Sequence, residues 1–176
     1  MLATVVVNMH EGDLATTILA ALGVVLALAS LGWQAYSFLL SGSRVRVQLK
    51  HGMRNAIGAI TSPTPLTDDQ MKALAQQGYP EQVFGVEVHN AGRSPTSIID
   101  ARIVFGNGAA YSEASQGFPH RLEPETEASW YFSAALIRAQ ARLWGQGSPK
   151  HANEIRASVR VAGRDKPVIS KNRFTV

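Results

Sequence analysis

The chain has 176 residues and a mass of 19.0 kDa, which suits one ordinary domain with an appendage. Hydrophobic residues make up 45%, charged residues 17%, and the net charge is +4, with no Gly-X-Y period or long heptad array; a wholly disordered, collagenous or long coiled-coil chain is excluded. The absence of cysteine excludes a disulfide scaffold, a thiolate zinc site, a Cys nucleophile and a lipoprotein anchor.

Charge is unevenly placed. Residues 1–13 form a short N-terminal segment holding Glu11 and Asp13, and all 17 Lys and Arg fall at or after Arg44. Leu14 to Ser43 then runs for 30 residues without a charge. A helix needs about 20 mostly apolar residues to cross ~30 Å of hydrocarbon. Residues 14–40 meet that requirement and are expected to form one transmembrane helix. Thr16, Thr17, Ser30 and Ser37 are tolerable there, because hydroxyls bond back to helix carbonyls. Gln34 is the one costly polar side chain, and Trp33 and Tyr36 sit near it, where amphipathic rings favour the headgroup level.

Two other readings compete. A buried helix of a soluble protein is the bland one, but an uncharged run of this length is rare in a soluble core. A cleaved signal peptide is the second: Ala27-Leu28-Ala29 resembles a cleavage site. Against it, no Lys or Arg precedes the run, and apolar sequence continues past Ala29. Gly23-Val24-Val25-Leu26-Ala27 has the small-xxx-small spacing that lets helices approach closely. Gly23, Ala27 and Gln34 are therefore candidates for helix pairing in a homo-oligomer.

Arg44, Arg46, Lys50 and Arg54 follow the helix directly as a basic membrane flank, and membrane lipid is their expected partner. The positive-inside rule puts this flank in the cytoplasm. The expectation is a single-pass protein of the inner (plasma) membrane, with its N-terminus outside and residues 44–176 inside.

The soluble part alternates strand-like and turn-like stretches. Arg44 to Lys50 alternates polar and apolar residues, which gives a strand with one buried face. Ser62-Pro63-Thr64-Pro65 breaks regular structure, and Thr67 or Asp68 is placed to cap a short helix from Asp69 to Gln77, stopped at Gly78. Val83 to His89 is a strand, Asn90 to Pro95 a turn, and Thr96 to Phe105 a second strand whose doubled apolar pairs suggest a bulge. Ala128, Trp130 and Phe132 alternate, and Leu136, Ile137, Ala141 and Trp144 have helical spacing. Ile155 to Val161 alternates again, Gly163-Arg164-Asp165 is a turn, and Val168 to Val176 supplies a last strand. Short strands with frequent turns predict a mainly β fold: an antiparallel sandwich with one or two short helices, preceded by one transmembrane helix.

The run Phe84-Gly-Val-Glu-Val-His-Asn-Ala-Gly-Arg-Ser-Pro-Thr-Ser-Ile98 resembles the strand–turn–strand of bacterial immunoglobulin-like domains. Leu122, Pro124 and Trp130 are similar to a second element of those domains, and Gly163-Arg164 to a turn near their last hairpin. The resemblance covers about half of the soluble part. It implies an immunoglobulin-like β-sandwich of the kind that follows single membrane helices in uncharacterised actinobacterial and phage membrane proteins. It implies nothing about activity.

Chemistry-bearing patterns are scarce. His10, His51, His89, His120 and His151 include no pair at i, i+2 or i, i+4, so no local metal site is expected. Folding could bring His89 and His120 together. Ser94, Ser115 and Ser133 lack a nucleophile-elbow context, Asn8 begins no glycosylation acceptor, and Gly106-Asn107-Gly108 is a turn rather than a phosphate loop. Asp68-Asp69 suits a helix N-terminus better than a cation. No catalytic, cofactor-binding or metal residue is expected, and no cofactor. Arg156, Arg160, Arg164 and Lys166 form a candidate basic face for a partner. No aromatic residue interleaves with them, so nucleic acid is not supported. The expected function is a non-enzymatic, membrane-anchored interaction or accessory module whose partner is another protein. The alternative is a phage-encoded or defence-linked membrane effector that oligomerises through its helix.

Overall fold

The structure, a computed structural model, describes residues 11–113, 117–145 and 153–176. Readings placed on Asn8, His10, Ser115, His151 and the turn after residue 145 lie outside the described residues. The chain divides into two compact units, Met1–Gly42 and Ser43–Val176.

The first unit is the helix α1 (Glu11–Ser41). Leu and Ala dominate it, and both hold helical geometry at little entropic cost. Thr16–Ser37 is 22 residues of apolar, fully exposed helix, long enough to cross a membrane. At ~1.5 Å per residue this stretch covers about 33 Å.

The second unit is an antiparallel β-sandwich. One sheet holds β1 (Val45–Arg54), β2 (Ala59–Ser62), β3 (Glu81–Asn90) and β7 (Glu127–Ser133), in the order β2-β1-β3-β7. The other holds β4 (Thr96–Phe105), β5 (Ala110–Tyr111), β6 (His120–Leu122), β8 (Glu154–Val161), β9 (Val168–Ile169) and β10 (Phe174–Thr175). Its order is β10-β8-β4-β5, with β6 also on β4 and β9 also on β8. Two short helices complete the unit, α2 (Asp68–Gln76) and α3 (Ala134–Gly145).

The core follows from the alternation. Leu49, Val86, Val88 and Phe132 face Ile98, Ile103, Ile155 and Val159, all fully buried. The α3 helix closes the core with Ala134, Ile137 and Ala141, and Trp144 meets Phe105 edge-on at 4.9 Å. At about 25 cal/mol per Å² of apolar surface, this shared interior is the main stabilising term.

Local chemistry sets the interruptions. Thr67 caps α2, accepting from Gln70 N while Gln70 answers Thr67 N, a reciprocal capping box. The α2 helix buries none of its side chains. The bulge lies between Ile98 and Asp100 in the β4–β8 pairing. The stretch from Leu122 to Phe132 is split between the sheets by a turn with Glu125 at φ 58°. The single last strand expected over Val168 to Val176 is two short strands instead. Ser170 still holds β8, donating its N–H to Ala157 O at 2.8 Å and accepting from Ala157 N at Oγ; beyond it Asn172 turns to grip both backbone groups of Leu49, at 3.1 and 2.6 Å.

Candidate functional site

Three features carry functional interest: the exposed helix, the exposed cations, and the sandwich end where the chain leaves Ser43. On α1, Gly23 has open space around its Cα and Ala27 is exposed. Gln34 donates its amide to Ser30 Oγ, one turn back, at 3.4 Å. This intrahelical bond lowers the cost of the carboxamide in an apolar setting, so Gln34 does not require a neighbouring helix. Trp33 and Tyr36 lie 6.0 Å apart on the same helix.

The four flank residues divide into two kinds. Arg44 and Arg46 are exposed. Lys50 is ion-paired with Glu87 across β1 and β3. Arg54 binds Glu81 through two hydrogen bonds, Nε at 2.8 Å and Nη2 at 2.9 Å. The hydrogen bonds that Arg54 donates to the Glu81 carboxylate raise its pKa above its ordinary value. Arg54 also stands nine residues from Val45 along one strand, about 30 Å away. Two of the four cations thus have partners within the sheet.

The C-terminal basic residues divide too. Arg156 and Arg160 are exposed on the outer face of β8. They stand in register with Val104 and Asp100, and Asp100 is ion-paired with Arg102. Arg164 and Lys166 lie instead in the β8–β9 turn, and Arg164 Nη2 donates to the Ser43 carbonyl at 2.8 Å. Arg173 pairs with Glu154 at 3.1 Å.

Asn90 organises the Ser43 end. Its side chain is completely buried. Oδ1 accepts from Arg44 N at 3.3 Å and Gly92 N at 3.2 Å. Nδ2 donates to Ser94 O at 2.8 Å, and to Leu122 O and Glu123 O at 3.3 Å. One carboxamide therefore ties the start of β1 to the β3–β4 and β6–β7 turns. This explains the Asn-Ala-Gly-Arg run in structural terms: Asn90 is the knot, and Arg93 is left exposed at the tip. The sequence pattern signalled a turn but not the remote backbone that Asn90 holds.

The histidines do not converge. His89 lies in the β1–β3–β7 sheet, opposite Arg46 and Glu127, whereas His120 lies in β6 of the other sheet, edge-on to Trp130 at 5.5 Å. Among the described residues, no group of three His, Asp or Glu is placed to hold a metal ion. His51 is buried, stacked on Phe84 at 5.1 Å, and its Nδ1 accepts from Leu66 N at 3.0 Å. Burial first, and the Arg138 charge second, push its pKa below the usual 6.5. A cleft of about 860 Å³ runs beside β1 and β9, lined by Val45, Val47, Glu87, His89, Val168 and Asn172 among others. It opens broadly to solvent, and Glu87 within it is already paired with Lys50.

The chain matches no known protein-family model and no curated protein.

Proposed function

We propose that the chain is a single-pass, membrane-anchored interaction module without enzymatic activity, with its soluble domain on the cytoplasmic side. The observation that carries this reading is the fully exposed apolar helix Thr16–Ser37. In water, exposing side chains such as Leu22, Val25, Leu26 and Leu31 is strongly unfavourable, whereas in hydrocarbon it costs nothing. The basic residues that follow the helix favour the cytoplasmic orientation.

The domain is read as immunoglobulin-like. The support is topological: β1-β3-β7 and β10-β8-β4-β5 match the A-B-E and G-F-C-C′ orders of such sandwiches, and no disulfide joins the sheets. Such a sandwich is a scaffold that presents loops and edges to a partner protein.

Because the chain has no cysteine, Ile57→Cys gives a unique label site at the tip of the β1–β2 hairpin, where the side chain is 96% exposed. Labelling by an impermeant maleimide is expected only after the cells are permeabilised. Labelling of intact cells would invert the orientation. Leu26→Arg, in mid-helix, is expected to release the protein from the membrane fraction; full retention would sink the spanning helix.

A further inference from the structure

The sandwich end that carries Ser43 is assembled from stretches far apart in sequence. Pairing of Val45 with Asn90, His89 with Glu127, Thr96 with Leu122 and Ile98 with Val161 brings the start of β1 and three turns together. Arg44, Arg93, Arg164 and Lys166 are exposed on these stretches. Glu125 and Asp165 stand among them, and Glu123 is paired with Arg121 at 2.7 Å.

The surface is braced. Asn90 holds three of the stretches, Arg164 holds the Ser43 carbonyl, and Ala162 N donates to Ser97 O at 2.9 Å. A shallow cleft of about 300 Å³, lined by Ser43, Pro95, Thr96, Ser97, Arg121 and Ala162, opens at this end. Only Gly42, Ser43 and Arg44 separate α1 from β1. The four Cα steps from Ser41 to Val45 reach at most about 14 Å.

We propose that this end of the sandwich is a docking surface for anionic phospholipid headgroups of the bilayer that α1 crosses, with Arg93, Arg164 and Lys166 acting beside Arg44. The proposal rests on the membrane-anchored reading above. Guanidinium groups bind phosphate oxygens in pairs, and cations near an anionic leaflet are attracted within about a Debye length. The linker lets this end reach that range, which makes docking an intramolecular step in which weak individual contacts suffice. Arg54 is excluded by its carboxylate partner and its distance along β1, and Arg156 and Arg160 by their place on the outer face of β8.

The test uses the full chain with Ala162→Cys, carrying a dye, reconstituted in two kinds of vesicle. One is phosphatidylcholine alone; in the other a third of the lipid is phosphatidylglycerol. A spin-labelled headgroup quenches the dye when the turn meets the surface. Quenching is expected to be stronger in the anionic vesicles and to fade at high salt. The triple variant Arg93→Gln/Arg164→Gln/Lys166→Gln is expected to lower the docked population by on the order of 100-fold. Lysine at both arginine positions should keep most of it, and Arg156→Gln/Arg160→Gln should leave it unchanged.

Equal quenching in both vesicles, or a triple variant that behaves like the parent, would overturn the proposal. So would triple-variant-sensitive binding of a labelled RNA oligonucleotide to the chain in phosphatidylcholine vesicles, which would reassign the cations to nucleic acid. Failure of the chain to enter vesicles at all is a separate result that defeats the anchor first.

Discussion

The two ends of the sandwich are held by the same device with opposite chemistry. At the Ser43 end, buried Asn90 grips the backbone of remote segments; at the other end, buried His51 does so. Asn90 is neutral at every physiological pH and spends both its donors and its acceptor on protein partners. His51 is titratable and only partly matched. With Nδ1 accepting from Leu66, the ring proton lies on Nε2, 2.7 Å from the Gln82 carboxamide nitrogen. The Gln82 oxygen is already taken by Arg138 Nη1 at 2.6 Å. Two donors thus compete for one oxygen. What His51 holds is also less well anchored, since α2 buries no side chain. A sandwich can therefore be rigid at one end and conditional at the other while sharing a single core.

The rigid end depends most on Asn90. Asn90→Ala leaves carbonyls of Leu122 and Glu123 and the amides of Arg44 and Gly92 without their partner. Each such group costs about 1–3 kcal/mol when it stays dry, so a loss on the order of 3–5 kcal/mol is expected in denaturant unfolding of the full chain in detergent. A loss below about 1 kcal/mol would mean that water replaces the carboxamide, and that this end is no stiffer than the other.

The conditional end is tested by acid. Neutral His51 is favoured in the fold, so its folded pKa lies below 6.5. The unfolded chain therefore takes up the proton first, and the stabilisation present above pH 6.5 is lost as pH falls through the folded value. Protonation would also set an Nδ1–H against the Leu66 N–H and a second cation beside Arg138. Protection of the amides over residues 66–77, corrected for the intrinsic pH dependence of exchange, is expected to fall below pH 6 before that of β4 and β8 responds. His51→Phe keeps the stacking on Phe84 but removes the proton. It should exchange faster than the parent at pH 7.5 and show no further acid response. Uniform loss of protection across both sheets would show that the excursion does not open on its own.

Much of the fold was legible in the sequence, because alternation and turn residues are local signals. The pattern placed Thr96 to Phe105 with its bulge and the alternation of Ile155, Ala157, Val159 and Val161, and it narrowed the α2 cap to Thr67 or Asp68, of which Thr67 is the cap. The splitting of the last strand was not legible. It depends on Asn172 reaching Leu49, 123 residues away, and no local pattern carries such a contact. The basic residues were legible as charges but not as surfaces. Register alone separates Arg156 from Arg164, and only pairing across β3 reveals that Lys50 and Arg54 already have carboxylate partners.

An ion pair offers a rival explanation for the behaviour of the His51 end. Arg54–Glu81 is a bidentate pair at the conditional end and looks strong enough to stiffen it. Its side chains, however, keep 36% and 43% of their exposure, so water and salt screen the attraction. A double-mutant cycle of Arg54→Gln and Glu81→Gln is expected to give a coupling below about 1 kcal/mol, shrinking further in molar salt. It should leave the acid response of residues 66–77 in place, since neither group contacts the His51 ring nitrogens. A coupling well above that value, or loss of the acid response with the pair, would make the ion pair rather than His51 the clasp of this end.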